Sequence, residues 1–368
     1  MKKVLTVVGA RPQFIKAAPV SNALIRSTDL REVLVHTGQH YDVNMSRAFF
    51  DDLDLPPPKY NLGVGSGTHG VQTAEIMKRL EPVLVEECPD LVMVYGDTNS
   101  TVAGALTASK LHILVAHVEA GLRSFNRKMP EEINRVVTDH LSTLLFCPTR
   151  TAVDNLRREG ISENVFVVGD VMYDVALQFA PKAKEKSCIL SNLGLQEREY
   201  ILATLHRAEN VKDKGRLYNI LCAMKELARE MNIVLPLHPG TLKMVREFHY
   251  ESLLRDLLVV QPVGFLDMIS LERNAILIVT DSGGVQKEAY FHSVPCVTLR
   301  YETEWIETLE AQWNTLAPVD SIGQIIGTIR ASLAYTGTRY TITDYGDGSA
   351  SQDIIRLLAS CLNGKAVS

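Results

Sequence analysis

The chain has 368 residues, of which 46% are hydrophobic and 22% charged, and its formal net charge is −5 at pH 7. This length exceeds one ordinary hydrophobic core, so we expect two domains, and the negative charge argues against a nucleic-acid partner, which requires a basic face. The six cysteines are scattered without zinc-ligand spacing, no signal peptide precedes the first strand, and no apolar stretch approaches ~18 residues, so we expect a cytoplasmic protein with no metal site and no membrane span.

The first predicted strand, residues 4–8, turns at Gly9 into a helix that carries Arg11 and Lys16 near its start. A strand, a glycine turn and a helix start form a phosphate-facing site in many doubly wound domains. The dinucleotide fingerprint G-x-G-x-x-G is absent, so we expect no NAD and no other cofactor. Arg11 and Lys16 are therefore candidate positive charges at the rim of the sheet; the alternative is that they are solvated residues at a helix start.

Three acidic residues follow the next elements of the first half. Asp97 comes directly after the apolar run 91–95, Glu119 after the run 113–118, and Glu131 in the first turn of the next predicted helix. Ligands of open α/β sheets bind beyond the carboxyl ends of the strands, so acids at those ends are better catalytic candidates than acids on helix faces. The alternative is that each acid only caps a helix or pairs with Arg123 or Arg135.

The second half repeats the alternation of strand and helix after a charged passage, 181–198, that we predict to be a linker. Its motif Asp281-Ser282-Gly283-Gly284 separates a strand from a helix and offers backbone N–H groups that suit a diphosphate. Glu288, one turn later, would accept from ribose hydroxyls, and His206 ends another strand. The alternative is a tight turn between strand and helix that binds nothing.

These elements predict an α/β fold of two Rossmann-like doubly wound domains facing a cleft, with an N-terminal domain over 1–180 that carries the acids, a C-terminal domain over 181–348, and a final helix over 349–368. One half suits proton chemistry and the other suits a nucleotide diphosphate, so a nucleotide sugar is the expected substrate. Three acids without a metal-ligand cluster favour proton transfer at carbon over metal-assisted hydrolysis.

Seven motifs together resemble the non-hydrolysing UDP-N-acetylglucosamine 2-epimerases, nearly from end to end of the chain. They are GARPQFIK at 9–16, TGQH at 37–40, GDT at 96–98, HVEAGLR at 117–123, PEEINR at 130–135, HRAEN at 206–210 and DSGGVQ at 281–286. The resemblance implies the GT-B fold with the final helix returning to the first domain, UDP binding by the second domain, a homodimer, and a role in cell-surface polysaccharide synthesis. It also implies an isomerase that removes the C2 proton as UDP departs from C1, forms a 2-acetamidoglucal, and adds UDP back.

The resemblance assigns roles position by position. Asp97, Glu119 and Glu131 match the family's catalytic acids, His206 its histidine near the diphosphate, Arg11, Lys16 and Arg135 its basic substrate contacts, Ser282, Gly283 and Gly284 its phosphate loop, and Glu288 its ribose ligand. The order in which the acids remove and return the proton stays open, and sequence alone does not separate Glu131 from its neighbour Glu132.

Departures from the commonest family pattern leave the sugar open. Ala10 and Gln13 stand where most members have threonine and glutamate, and Tyr41 with Asp42 puts an allosteric UDP-GlcNAc site in doubt. The loop 300–305 and the insert 124–127 resemble the branch that acts on UDP-2,3-diacetamido-2,3-dideoxyglucuronate. Arg127 of this insert is either a partner for a uronate or a solvated arginine.

Three other functions would share these features. A GT-B glycosyltransferase would have the same fold and bind UDP in the same way. A hydrolysing 2-epimerase would share the motifs. A catalytically inactive nucleotide-sugar binding protein would bind UDP but have no activity. The grouped acids favour the non-hydrolysing epimerase over the transferase, and product analysis separates all four.

Overall fold

The computed structural model of the protein describes residues 1–39 and 47–364, although only the backbone of Arg47 and Ala48 is described. His40, Tyr41 and Asp42, which entered the motif comparison, lie outside these residues. The chain divides into two units, one formed by Met1–Gln178 with Thr343–Ser368 and the other by Phe179–Ile342.

The first unit alternates strands with helices. Its elements are β1 (Lys2–Val8), α1 (Arg11–Ile25), β2 (Leu30–His36), α2 (Arg47–Asp52), β3 (Tyr60–Asn61), α3 (His69–Glu87), β4 (Leu91–Tyr95), α4 (Asn99–Lys110), β5 (Leu114–Val118), α5 (Pro130–Leu141), β6 (Leu144–Cys147), α6 (Arg150–Arg158), β7 (Val165–Val167) and α7 (Val171–Lys186), which continues past the end of the unit. Within the described residues the strands form one parallel sheet in the order β3-β2-β1-β4-β5-β6-β7.

The second unit has the same kind of alternation. Its elements are α8 (Ile189–Leu193), β8 (Tyr200–Thr204), α9 (Ala208–Val211), α10 (Lys214–Leu227), β9 (Asn232–Pro236), α11 (Pro239–Glu247), a 3₁₀ turn (Glu251–Leu254), β10 (Leu258–Val260), α12 (Phe265–Asn274), β11 (Leu277–Thr280), α13 (Gly283–Phe291), β12 (Cys296–Thr298), α14 (Ile306–Glu310), β13 (Asn314–Leu316) and α15 (Ile322–Ala334). Its described strands form a second parallel sheet, β10-β9-β8-β11-β12-β13. The predicted α/β class is confirmed.

Both sheets have buried strands, because parallel strands are covered by helices on their two faces. Every residue of β4, from Leu91 to Tyr95, is 0% exposed, which explains why this strand is a continuous apolar run in the sequence. The predicted strand at 91–95 coincides with β4.

The strand order reverses once in each sheet, and these reversals position the candidate site residues. In the first sheet β1 lies between β2 and β4, and in the second β8 lies between β9 and β11. Ligands of open α/β sheets bind beyond the carboxyl ends of the strands at such a switch point. Asp97 follows β4 at the first switch point, while His206 follows β8 and Ser282 follows β11 at the second.

The passage 181–198, predicted as a linker, is mostly helical: α7 extends through Pro181 to Lys186, and α8 follows it. Buried apolar residues explain the helix, since Phe179 is 0% exposed and its ring meets that of Phe265 edge-on at 5.3 Å. The many charged side chains of this passage occupy the solvent face of an amphipathic helix, a pattern that resembles a linker in composition.

The last described helix, α16 (Ala350–Leu362), belongs to the first unit and packs against α1. Its start is held by Asp174 of α7, whose carboxylate accepts hydrogen bonds from Ala350 N at 3.1 Å, Ser351 N at 2.8 Å and Ser351 Oγ at 2.6 Å. Asp174 therefore satisfies backbone N–H groups that the first turn of a helix leaves without an intrahelical partner.

Candidate active site

Four of the predicted site residues meet at the carboxyl ends of β1, β4 and β5. Lys16 Nζ donates a hydrogen bond to Glu119 Oε2, and Arg135 Nη2 donates one to Asp97 Oδ2. Gly96 lies against the first ion pair, because a Cβ atom built on it would lie 3.3 Å from Glu119 Oε2 and 3.5 Å from Lys16 Nζ. The structure thus places two carboxylates and two cations around one glycine turn.

These four groups also interact electrostatically as a single cluster. Burial by itself would lower the pKa of Lys16, but the charges of Glu119 and then Asp97 raise it above the ordinary value. Arg135 shows the same balance, because burial lowers its pKa while the charge of Asp97 raises it, with smaller contributions from Glu132 and Glu119. Both cations therefore stay charged, and each senses carboxylates of both pairs.

The backbone around the two carboxylates is unusual for residues other than glycine. Glu119 has φ = 74° and so lies in the left-handed region, as Gly96 does with φ = 62°. Main-chain hydrogen bonds hold both residues, since Glu119 N donates to Phe146 O at 3.1 Å and Gly96 N donates to Val118 O at 3.0 Å. A left-handed glutamate costs conformational free energy, and such residues cluster at functional sites.

A buried histidine supports the turn that carries Asp97. His117 is 0% exposed within β5, and its Nδ1 and Nε2 lie 2.7 Å from Asp139 Oδ1 and from Gly96 O, respectively. Asp139 in turn accepts from Arg123 Nη1 at 2.7 Å; burial would raise the pKa of Asp139, but the charges of His117 and Arg123 hold it below its ordinary value. We did not assign a role to His117 from the sequence, although a histidine inside an apolar run was a usable signal.

The structure gives the adjacent glutamates Glu131 and Glu132 different environments. Glu132 is 3% exposed, and its carboxylate accepts from Ser124 N at 2.9 Å, Ser124 Oγ at 2.8 Å and Phe125 N at 3.0 Å, so it holds the loop before α5. Glu131 is exposed in the first turn of α5. The carboxylate of Glu132 therefore has a structural role, because it fixes the loop before α5. The assignment of Glu131 as a third catalytic acid stays a prediction.

The turn after β1 is fixed by Gln13, which entered the sequence comparison only as a departure from the family pattern. Its Oε1 accepts from Gly9 N at 2.8 Å, and its Nε2 donates to Tyr95 O at 2.8 Å. Gln13 thus ties the end of β1 to the end of β4 across the switch point. Arg11, in the first turn of α1, has its guanidinium carbon 5.4 Å from the centre of the Phe49 ring.

In the second unit, a buried aspartate organises the segment that contains His206. Asp281 is 0% exposed and accepts from His206 N at 3.1 Å, Arg207 N at 3.0 Å and Asn210 Nδ2 at 3.3 Å. The ring of His206 stays half exposed. Burial lowers the pKa of His206, and the positive charges of Arg207 and His238 lower it further. The negative charge of Asp281 raises the pKa but does not cancel these effects, so His206 is neutral at neutral pH.

The predicted phosphate loop occupies the start of α13. Ser282 is the N-cap residue, and among the described residues its side chain makes no capping hydrogen bond to the helix. Gly283 and Gly284 open the helix, so its first N–H groups have no Cβ atoms between them and a ligand. Backbone N–H groups at a helix N-terminus favour an anion, and the macrodipole adds to this preference.

Glu288, the predicted ribose ligand, lies one turn further along α13 and is coupled to Glu272 of α12. The two carboxyl groups are hydrogen-bonded, and burial followed by the charge of Glu288 raises the pKa of Glu272 well above its ordinary value. A protonated Glu272 can donate the hydrogen bond that it shares with Glu288. The oxygen atoms of a glutamate in this position are suitable acceptors for hydroxyl groups.

Residues 1–39 and 47–364 contain neither a cluster of metal-binding side chains nor a helix that could span a membrane. No group of three or more His, Cys, Asp or Glu residues in this part of the chain has an arrangement that would hold a metal ion. None of the helices described above combines the length and the apolar character needed to cross a bilayer.

Comparison with known proteins gives one consistent group. A family model described as UDP-N-acetylglucosamine 2-epimerase matches residues 22–359. A UDP-N-acetylglucosamine 2-epimerase homolog of Methanococcus maripaludis is 51% identical over 97% of this chain and 99% of its own length. The UDP-2,3-diacetamido-2,3-dideoxy-D-glucuronate 2-epimerase of Pseudomonas aeruginosa is 49% identical over 97% of this chain and 99% of its own length.

The fold is shared with solved structures. The crystal structure of Methanocaldococcus jannaschii UDP-GlcNAc 2-epimerase in complex with UDP-GlcNAc and UDP has a TM-score of 0.89 and 46% sequence identity, and the match covers 97% of this chain and 99% of that one. Both units are included in this match, since it leaves only 3% of the chain unaligned.

Proposed function

The chain belongs to the UDP-N-acetylglucosamine 2-epimerase family, as its motifs predicted, and from this premise we propose that it inverts carbon 2 of a UDP-2-acetamido sugar. The observation that carries the proposal is the cluster of Asp97 and Glu119 with their two cations at the first switch point. Inversion at a carbon needs one group to remove a proton from one face and another to return a proton to the opposite face. Two fixed carboxylates meet this requirement.

The proposed reaction proceeds by elimination and readdition. A carboxylate takes the C2 proton, the electron pair of that C–H bond forms the C1=C2 double bond of a 2-acetamidoglucal, and the C1–O bond breaks with its electrons leaving on UDP. A diphosphate oxygen of UDP then bonds to C1, and the electron pair of the C1=C2 double bond takes a proton at C2 from a second acidic group on the opposite face. The first group has gained the proton that the second group has lost. The substrate and the product have the same atoms, so the step needs no oxidant, reductant or water.

The second unit supplies the groups that hold UDP in this proposal. The N–H of Ser282 donates to Thr280 Oγ1 at 2.9 Å, so the hydroxyl of Ser282 and the N–H groups of Gly283 and Gly284 stabilise the charge that develops on the departing diphosphate. His206, neutral at neutral pH, acts there as a hydrogen-bond donor rather than as a fixed charge. Glu288, which is hydrogen-bonded to Glu272, accepts from the ribose hydroxyls.

The identity of the sugar rests on the first unit, and two relatives of almost equal similarity are named for different sugars. The loop that Glu132 holds carries Arg127, which is exposed. A carboxylate on carbon 5 of the sugar would give this arginine a partner, and UDP-GlcNAc would not. We therefore propose that the enzyme prefers the diacetamido glucuronate substrate.

Product analysis with both UDP-GlcNAc and the diacetamido glucuronate tests this function. We expect each accepted sugar to reach an equilibrium of the two C2 epimers with UDP still attached, and the glucuronate to react faster. Accumulation of free sugar and UDP would indicate a hydrolysing enzyme, and conversion only in the presence of an acceptor would indicate a transferase. Failure of both sugars to react would contradict the proposal.

Two further proposals follow from the family alone. We propose that the enzyme is a homodimer, which sedimentation at several protein concentrations would test. A sedimentation coefficient of a monomer at all concentrations would contradict this proposal.

We also propose that the enzyme works in the cytoplasm, where UDP-sugars are made. Recovery of the protein outside the cytoplasm in fractionated cells would contradict this proposal.

A further inference from the structure

The loop before α14, residues 300–305, is attached to α13 by two contacts. Thr303 Oγ1 donates to Gln286 Oε1 at 2.6 Å, and Gln286 also accepts from Asn314 Nδ2 at 3.0 Å. The ammonium group of Lys287 lies 3.9 Å from the centre of the Trp305 ring. Since both Gln286 and Lys287 belong to the first half of α13, the loop is held beside the start of that helix.

This attachment brings Glu304 against Gly283, the first residue of α13 and part of the phosphate loop. A Cβ atom built on Gly283 would lie 2.6 Å from Glu304 Oε1 and 3.4 Å from Arg207 Nη2. A separation of 2.6 Å is shorter than real Cβ contacts, so the absence of a side chain at Gly283 is what admits the carboxylate. Gly283 is therefore required here for close approach and not for a left-handed backbone.

The carboxylate is charged and has two arginine partners. Arg300 Nη1 donates to Glu304 Oε2 at 2.9 Å, and Arg207 Nη2 lies 3.7 Å from Glu304 Oε1. Burial would raise the pKa of Glu304, but the charges of Arg300 and Arg207, together with a backbone hydrogen bond, hold it below its ordinary value. An anion that belongs to the chain thus lies against the start of α13.

We propose that Glu304 competes with the diphosphate of the substrate for the start of α13 and for Arg207 and Arg300, and so sets the affinity for UDP. This inference rests on the proposed function, which places the diphosphate at the same loop. Two anions repel each other at one helix start, so UDP binding requires the Glu304 carboxylate to withdraw from Gly283. The Glu304 carboxylate therefore weakens the binding of any ligand that has a diphosphate, and it does not change the affinity for a ligand without phosphate.

Titration of the full-length protein with UDP and with uridine, followed by NMR, tests this inference in Glu304→Gln. The interaction of one charge with a helix N-terminus, when it is partly buried, corresponds to about tenfold in an equilibrium constant. We expect Glu304→Gln to bind UDP about tenfold more tightly than the wild type does. Uridine affinity should stay the same, which shows that the nucleoside site is intact.

Glu302→Gln is the matched control, because Glu302 is an exposed glutamate of the same loop and this substitution removes the same charge. We expect it to leave UDP affinity at the wild-type value. Glu304→Asp keeps the charge beside Arg300 but shortens the side chain by one methylene, so it should withdraw from Gly283 and tighten UDP binding as well.

Unchanged or weaker UDP binding in Glu304→Gln, with uridine affinity preserved, would overturn the competition and leave the proposed function standing. Equal tightening in Glu302→Gln would also overturn it, because the effect would then be general charge and not contact with Gly283. If neither the wild type nor Glu304→Gln binds UDP at all, the proposed diphosphate site itself is wrong.

Discussion

Each carboxylate of the first-unit cluster stands beside a cation, and this pairing bears directly on its chemistry. If Glu119 takes a proton in the proposed reaction, the partly buried ammonium of Lys16 loses the carboxylate to which it is hydrogen-bonded, so the lysine opposes the protonated state of its partner. A base with such a neighbour holds a proton only briefly and returns it readily. Reversible proton transfer is what an epimerase requires, since its reaction runs in both directions.

Substitution of Glu119 by glutamine tests the role of this carboxylate. Glutamine is nearly isosteric but cannot take a proton, so we expect kcat for epimerisation to fall by about 10²–10⁴-fold. Steady-state kinetics measure the loss, and UDP affinity should change little because the second unit is untouched. Glu163→Gln, at an exposed position before β7, is the matched control and should keep wild-type activity. Wild-type kcat in a folded Glu119→Gln protein would exclude Glu119 from proton transfer.

The sequence named Arg135 as an alternative partner for the acids, and the structure pairs it with Asp97. It did not name Lys16 as the partner of Glu119, because the two residues are 103 positions apart and only the tertiary fold brings them together. The positions of the acids were predictable, because each follows a strand whose apolar run is plain in the sequence. The separate environments of Glu131 and Glu132 could not be predicted, since they depend on which side of one helix turn faces the loop at 124–125.

At the scale of elements, the sequence predicts strands well and charged helices poorly. A strand buried on both faces must be apolar throughout, so β4 was predicted with its observed ends. The passage 181–198, predicted as a linker, contains the last six residues of α7 and all of α8, because the charged residues of an amphipathic helix resemble a linker in composition.

Glu87, the last residue of α3, ties this helix to β1 and β3. Lys59 and Tyr60 OH both donate to its Oε1, and Lys3 Nζ lies 3.0 Å from its Oε2. These bonds, first from Lys59, then Tyr60 and Lys3, lower the pKa of Glu87 from 4.5 to about 2. Because the folded pKa lies below the unfolded one, the contribution of Glu87 to stability is present above about pH 4.5 and is lost as the pH falls towards 2.

We therefore expect Glu87→Gln to lower the free energy of unfolding by about 1–3 kcal/mol at neutral pH. Urea unfolding of the wild type and the variant across pH 7 to 2.5 measures the difference, which should shrink as the wild-type carboxylate becomes protonated. Glu86→Gln changes a neighbouring exposed carboxylate and should cost much less. A difference that stays constant down to pH 2.5 would contradict the charged role of Glu87.

At the scale of the whole chain, two units of similar architecture carry different groups of candidate residues. Each has a parallel sheet with one reversal of strand order, and each brings its candidate residues to that reversal. The assignment of acids to the first unit and of the diphosphate loop to the second came from motifs at strand ends, a feature that sequence conveys directly. The sequence offers a signal for His117, a histidine inside an apolar run, but the roles of Asp281 and Glu304 depend on contacts between elements that are distant along the chain.

The most direct test of the account is proton NMR of the wild-type enzyme with its UDP-sugar in D₂O. Removal and return of the C2 proton predicts that each inverted product molecule carries solvent deuterium at C2 and that UDP remains attached at equilibrium. Inversion with the original proton retained at C2 would contradict the proposed chemistry of Asp97 and Glu119, and the absence of any C2 exchange with either sugar would contradict the epimerase function itself.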